Sequence, residues 1–144
     1  MIRTGRSLLY DSNSPKETFE LGQRIACKLE KGSVVALQGG LGSGKTCLSK
    51  GIAAGLGITE TITSPTYTII SEYQNMNHID AYRLENEEDF EGIGGSEIIN
   101  GDKISVIEWS DRIQRILPPN TINIKIEITG ASSRLIKIGG LCNL

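Results

Sequence analysis

Residues Gly39 to Thr46 read GGLGSGKT, with VVALQ before them and CLSKGIAAGL after. The octapeptide fits G-x-x-x-x-G-K-[ST], a loop whose backbone N–H groups cradle phosphates. Upstream, Ser33 to Gln38 is apolar and partly β-branched, as a buried parallel strand requires. Downstream, Thr46 to Leu56 places Leu48, Ile52 and Leu56 at helical spacing, and Gly57 suits a helix C-terminal cap. Strand, glycine loop and helix is the arrangement that phosphate binding needs. A glycine turn capping an ordinary βα unit is the plain alternative.

Each residue type in the loop has a physical job. Gly39, Gly42 and Gly44 let the backbone turn tightly and approach phosphate oxygens. The helix starting near Lys45 adds partial positive charge at its N-terminus. Lys45 is expected to reach the β- and γ-phosphates, and the Thr46 hydroxyl to coordinate Mg²⁺. The candidate cradle is therefore Gly39, Gly40, Leu41, Gly42, Ser43, Gly44, Lys45 and Thr46.

Bulk properties bound the rest. The 144 residues suggest a single domain, 1–144, with a real core. Hydrophobic residues make up 38%, and no apolar run approaches the ~20 residues of a membrane span. The first residues, MIRTGRSLLYDSN, lack a signal peptide's apolar stretch, so a soluble cytoplasmic protein is expected. Cys27, Cys47 and Cys142 are widely spaced, without metal-ligand spacing, and read as reduced, structural thiols. Net charge is −2 and Lys and Arg are scattered, so no basic stripe tracks a nucleic-acid backbone. Aromatics at 5% also argue against a stacking platform for single strands.

Along the chain, Ser14-Pro15-Lys16-Glu17 is a helix start with serine cap, proline at the first position and glutamate three residues on. That helix would carry Phe19, Leu21, Ile25 and Leu29 and stop before Gly32. Thr66 to Tyr73 reads as a strand, Asn75-Met76-Asn77 as a turn, and His78 to Tyr82 as another strand. Glu85 to Glu91 is acidic and helical with Phe90 as its apolar contact, and a short helix follows near Ser96 to Asn100. Ile104 to Trp109 is a second buried strand, and Asp111 to Leu117 a short helix ended by Pro118-Pro119. Ile122, Ile124, Ile126 and Ile128 alternate with polar residues, and Arg134 to Ile138 returns as the hairpin partner. The fold class is α/β: a P-loop NTPase-like mixed sheet flanked by helices, with added antiparallel strands.

A phosphate loop needs a carboxylate near the metal, usually at the end of a neighbouring buried strand. Glu108 closes such a strand and is the candidate Mg²⁺ carboxylate, directly or through water; a solvated strand-end glutamate is the alternative. Regular alternation sends Trp109 to the opposite face, as core or subunit contact. Alternation also puts His78, Asp80 and Tyr82 on one face, where Asp80 could meet the attacking water or the metal shell. His78, the single histidine, reads more simply as a structural side chain than as a catalyst. Thr63-Ser64-Pro65-Thr66 is either a γ-phosphate-sensing switch or a polar proline turn. Among rival classes, a GTPase is disfavoured: Asp89-Phe90-Glu91-Gly92 fits DxxG only within an acidic helical stretch, and no NKxD occurs. A small-molecule kinase would need a substrate segment and an arginine lid, for which little chain remains.

Four segments occur in order: GGLGSGKT, TSPTYT at Thr63 to Thr68, HIDAYR at His78 to Arg83, and EWSDR at Glu108 to Arg112. Together they resemble the TsaE (YjeE) family of bacterial tRNA threonylcarbamoyladenosine synthesis over nearly the whole chain. The resemblance implies an ATPase, slow when alone, that works with the TsaB–TsaD complex in modifying adenosine 37 of tRNA. It implies ATP and Mg²⁺ as cofactors, TsaB and TsaD as partners, tRNA met only through the complex, and no membrane. By motif, Gly39 to Thr46 would bind phosphates, Thr46 and Glu108 would serve Mg²⁺, and Lys45, Asp80 and Glu108 would be catalytic. The Thr63–Thr68 segment would respond to nucleotide state. Arg134 and the Ser12–Ser14 region are candidates for the adenosine side. The chain departs from the family pattern at Gly40, commonly Asp, and at Cys47, commonly a second Thr. A nucleotide-gated assembly factor with incidental hydrolysis is the competing reading.

Overall fold

The computed structural model describes residues 7–62 and 69–144. One seven-stranded sheet organises them. In chain order the elements are β1 (Leu8–Ser12), α1 (Pro15–Ala26), β2 (Val34–Gly39), α2 (Lys45–Gly55), β3 (Ile70–Glu72), β4 (Met76–Asp80), α3 (Glu87–Gly92), α4 (Gly95–Ile99) and β5 (Ile104–Glu108). A 3₁₀ segment (Ser110–Ile116), β6 (Ile122–Ile128) and β7 (Arg134–Gly139) complete the chain. The strand order is β1-β7-β6-β2-β5-β4-β3. Strands β6, β2, β5 and β4 run parallel, while β7, β1 and β3 add antiparallel edges.

Strand β2 sits centrally and is apolar on both faces, which explains its unbroken hydrophobic run. Val35 and Leu37 face a core shared with α1 and α2, where Leu21, Ile25, Leu48 and Ile52 are fully buried. Val34 faces a second core on the other side, with Ile79, Phe90, Ile107 and Ile113. Each such side chain contributes about 1.5–3 kcal/mol by leaving water. Helices α1 and α2 pack closely because their contact is lined by glycine: a Cβ on Gly51 would lie 2.1 Å from the Phe19 carbonyl oxygen.

The α1 start behaves as its sequence indicates: the Ser14 hydroxyl accepts the Glu17 N–H at 3.1 Å and Pro15 opens the helix. The Glu17 carboxylate caps one residue earlier than expected, taking the Asn13 N–H at 2.9 Å. Several boundaries differ from the sequence reading. Leu29 lies beyond α1, which ends at Ala26, and packs on the core from the following turn. Met76 and Asn77 belong to β4 rather than to a turn, because they pair in parallel with Ile104 and Ser105 of β5. Strand β4 stops at Asp80, not Tyr82: the Asp80 carboxylate accepts the Tyr82 N–H at 3.0 Å and turns the chain. The segment after β5 is a 3₁₀ helix beginning at Ser110. Strand β1, which has no counterpart in the sequence reading, pairs with β7 at the sheet edge. The described part of the Thr66–Tyr73 expectation reduces to β3, and Thr63 to Thr68 lie outside the described residues. Among the described residues no helix is long and apolar enough to cross a membrane.

Candidate functional site

The C-terminal ends of three parallel strands, β2, β5 and β4, bring the candidate residues to one edge of the sheet. In open α/β sheets this edge is where ligands settle. The glycine loop leaves β2 and enters α2. Gly42 (φ 75°) and Gly44 (φ 109°) take left-handed backbone conformations that residues with a Cβ rarely adopt. The loop therefore curls over the N-terminus of an eleven-residue helix, whose first N–H groups carry no side-chain cap. That is an anion-binding arrangement.

Two cavities flank the loop. The first, about 410 Å³, is lined by Leu41 to Cys47 together with Asp80, Tyr82, Glu108 and Trp109. The second, about 280 Å³, lies against Ser14, Pro15, Thr18, Gly42, Ser43, Gly44, Cys47, Ala131, Ser132 and Arg134. They share Gly42, Ser43, Gly44 and Cys47, so the loop separates a carboxylate-bearing side from a less polar side.

Lys45 is 5% exposed. Its Nζ donates to the carbonyls of Gly39 (2.8 Å) and Gly40 (2.9 Å), and lies 4.0 Å from the centroid of the Trp109 ring. Burial pushes its pKa below the usual lysine range, while the nearby carboxylates of Glu108, Asp80 and Asp111 pull it back up. The ammonium thus bridges two carbonyls at the start of the loop.

Glu108 ends β5 and is 4% exposed, so it is no solvated strand-end glutamate. Its Oε1 accepts the Thr46 hydroxyl at 3.0 Å. Its Oε2 lies 2.5 Å from His78 Nε2 and 3.4 Å from Ser49 Oγ. Asp80 stands on the next strand, in register with Glu108, with its side chain in the first cavity. A hydroxyl beside a carboxylate, next to a loop of amides, is a donor set suited to Mg²⁺ shared with phosphate oxygens. Among the described residues there is no group of three or more His, Cys, Asp or Glu able to hold a metal by themselves.

Trp109 packs on the second core, as alternation predicts, and also reaches the site, which alternation did not predict. Strand β5 ends one residue earlier, and Trp109 adopts φ 60°, ψ 42°, a left-handed turn. That turn swings the indole into the cavity that Glu108 also lines, against Tyr82 (centroids 4.8 Å apart). Period-two counting fails where a strand stops. A left-handed non-glycine residue costs on the order of 1–3 kcal/mol and clusters at functional sites.

Arg134 opens β7 and borders the second cavity. Its guanidinium is spent on carbonyls: Nε to Ser43 (2.9 Å), one terminal nitrogen to Gly42 (3.1 Å), the other to Gly130 (3.0 Å) and Ser133 (2.8 Å). It buckles the glycine loop to the β6–β7 turn, a role no sequence signal indicated. Ser14 borders the same cavity. Ser12 does not, being buried beneath it with its hydroxyl on Thr18 Oγ1 (2.7 Å) and the Ser14 carbonyl (3.0 Å). Gly40 is exposed, and a Cβ there would meet nothing within 4 Å.

All three cysteines are free, Cys27 and Cys142 exposed and Cys47 half-buried. Burial pushes the Cys47 thiol pKa up, against opposing pulls from Lys50 and a backbone hydrogen bond at Phe19. It is a poor nucleophile as placed.

Comparisons with known proteins agree on one family. The model of the family described as "Threonylcarbamoyl adenosine biosynthesis protein TsaE" matches residues 12–136. A tRNA threonylcarbamoyladenosine biosynthesis protein TsaE from Treponema pallidum is 43% identical over 130 residues, covering 88% of this chain and 96% of that protein. One from Bacillus subtilis is 36% identical over 142 residues, covering 96% and 89%. The crystal structure of Bacillus subtilis YdiB superposes with a TM-score of 0.76 at 31% identity, covering 92% of this chain and 84% of that one. With its P-loop NTPase fold, this chain belongs to the TsaE family.

Proposed function

We propose that this protein binds and hydrolyses Mg-ATP in support of a TsaB–TsaD complex that threonylcarbamoylates adenosine 37 of tRNA. The observation that carries the nucleotide site is the 3.0 Å contact between Thr46 Oγ1 and Glu108 Oε1 at the mouth of the glycine loop. It joins the loop's hydroxyl to a buried carboxylate where nucleotide enzymes of this fold need both. The family's printed names support the pathway, and the TsaB and TsaD partners and a cytoplasmic location are part of this proposal.

In this reading the adenosine lies in the cavity beside Ser14, Thr18 and Arg134. The phosphates thread the loop toward Lys45, Asp80 and Glu108. Backbone N–H groups of residues 42–46 and the Lys45 ammonium stabilise phosphate charge. Thr46 and Glu108 would hold Mg²⁺, which would supply charge neutralisation for the phosphates. Asp80 orients the attacking water. Lys45 carries three protons, so it can keep the carbonyls of Gly39 and Gly40 and donate the third to a phosphate oxygen.

Lys45→Ala should abolish measurable ATP binding in calorimetry and ATP turnover in the reconstituted complex. Intact binding in that variant would remove the assignment. Depletion of the protein in cells should lower threonylcarbamoyladenosine in tRNA, read by nucleoside mass analysis. Unchanged levels under tight depletion would refute the pathway. The competing reading is a nucleotide-gated assembly factor with incidental hydrolysis. ATP consumed per modified tRNA separates the two: a fixed stoichiometry means hydrolysis drives turnover, and modification without consumption means gating alone.

A further inference from the structure

We propose that His78 is a positioning residue that locks the Glu108 carboxylate toward Thr46 and thereby sets the strength of Mg²⁺ binding. The inference rests on the Mg-nucleotide reading of the site. His78 does not border either cavity flanking the loop and is 0% exposed, beneath Glu108 on the neighbouring strand β4. It therefore acts through Glu108 and not on the nucleotide.

The hydrogen-bond inventory points to this role. Glu108 is buried, and its ionised carboxylate offers two acceptor oxygens and no donor. Oε1 takes the Thr46 hydroxyl proton. Oε2 has two neighbours, Ser49 Oγ at 3.4 Å and His78 Nε2 at 2.5 Å. The Ser49 hydroxyl has one proton, and the Lys45 carbonyl at 2.9 Å is its better acceptor. His78 is thus the principal donor to Oε2. The other ring nitrogen, Nδ1, is buried and has no hydrogen-bond partner among the described residues. A proton placed there would be unsatisfied and would turn two lone pairs against each other at Oε2. The network assigns the proton to Nε2.

The consequence is geometric. With Oε2 tied down from β4, the carboxylate cannot rotate, and Oε1 stays beside the Thr46 hydroxyl at the cavity wall. An apolar residue at position 78 would fill the volume but leave a buried lone pair unmet and the carboxylate free to turn. Groups that orient a metal's carboxylate from behind typically change metal affinity by about 10- to 100-fold.

Two measurements test the proposal. The first is nucleotide affinity with and without Mg²⁺ for the wild type, His78→Leu and His78→Gln. The Gln side-chain amide nitrogen stands as many bonds from Cβ as the imidazole Nε2 and can donate in its place. His78→Leu should lose about 10-fold or more of the Mg²⁺-dependent gain in ADP affinity while metal-free ADP affinity holds. His78→Gln should recover most of that gain. An unchanged Mg²⁺ gain in His78→Leu, or an equal loss with and without metal, would overturn the proposal. So would a failure of Gln to rescue. The second needs no variant. His78 is the single histidine of the chain, so its ring nitrogens give unambiguous NMR signals. They should report the Nε2–H tautomer, and should shift when Mg²⁺ is added to ADP-bound protein but not when Mg²⁺ is added alone. The Nδ1–H tautomer, or a ring indifferent to Mg²⁺ in the ADP complex, would overturn the proposal. A wild type whose ADP affinity ignores Mg²⁺ would instead refute the Mg-nucleotide reading, and the metal role of His78 with it.

Discussion

Replacing Arg134 tests how the glycine loop is held. The side chain makes four hydrogen bonds, two of them to the loop carbonyls of Gly42 and Ser43. By holding these carbonyls from outside, it keeps the intervening backbone in the turn that Gly42 and Gly44 permit. Bonds from a charged donor are worth about 1.5–3 kcal/mol each when buried. Arg134 is half-buried and its bond to Gly42 is exposed, so screening lowers each to about 0.5–1.5 kcal/mol. The two together give about 1–3 kcal/mol of loop order, and 1.4 kcal/mol is a factor of ten. Arg134→Ala should therefore weaken ADP binding by about 5- to 150-fold in calorimetry, with a folded protein by circular dichroism. Arg134→Lys keeps the charge but not the fork that spans two carbonyls, and should recover only part of the loss. Wild-type affinity in Arg134→Ala would refute the strap. Full recovery by Lys would show that charge toward the phosphates, not the fork, is what matters.

Other expectations follow from the same geometry. Gly51→Ala should lower the denaturant midpoint by the equivalent of about 1–3 kcal/mol, because its Cβ would press on the Phe19 backbone and overpacking outweighs the gain in helix propensity. A midpoint at or above wild type would mean α1 and α2 can separate freely. Gly40→Asp should leave stability within about 0.5 kcal/mol, since nothing lies within 4 Å of the added Cβ and the position is exposed. A large drop in the midpoint would contradict that open space. Burial lowers the Lys45 pKa below its ordinary 10.5, so the unfolded chain holds that proton more tightly than the native one. Stability from this group therefore rises as pH climbs from the folded value to 10.5, the penalty being complete below that window. In urea titrations the wild type should gain on Lys45→Met across the alkaline range, and a constant difference would refute the shift.

The glycine loop was legible because its signal is local. Glycine at fixed intervals, a lysine and a hydroxyl are consecutive in the chain, and the flanking periodicities name the strand and helix. The Ser14 cap of α1 and the alternating isoleucines of β6 are local signals too, and both stand as read. Ile128 alone is exposed, at the strand's far end. Glu108 could be singled out because a carboxylate ending an apolar run is unusual, and the fold places it beside Thr46.

What escaped the sequence lies where one element meets another. Trp109 keeps the core contact that alternation predicts, but its place in the cavity was missed because β5 stops at Glu108. Strand β1 was missed because a five-residue edge strand draws its stability from pairing with β7, far along the chain. The Arg134 strap spans about ninety positions from Ser43, and no local pattern encodes it. The His78–Glu108 contact exists because β4 was placed beside β5, which set residues thirty apart in sequence at 2.5 Å. Backbone period and turn chemistry are properties of neighbours in the chain, so the sequence by itself determined most of the elements and the glycine loop between β2 and α2. Strand order is decided by burying both faces of one sheet at once, so only the tertiary structure decided which side chains hold that loop and its carboxylate in place.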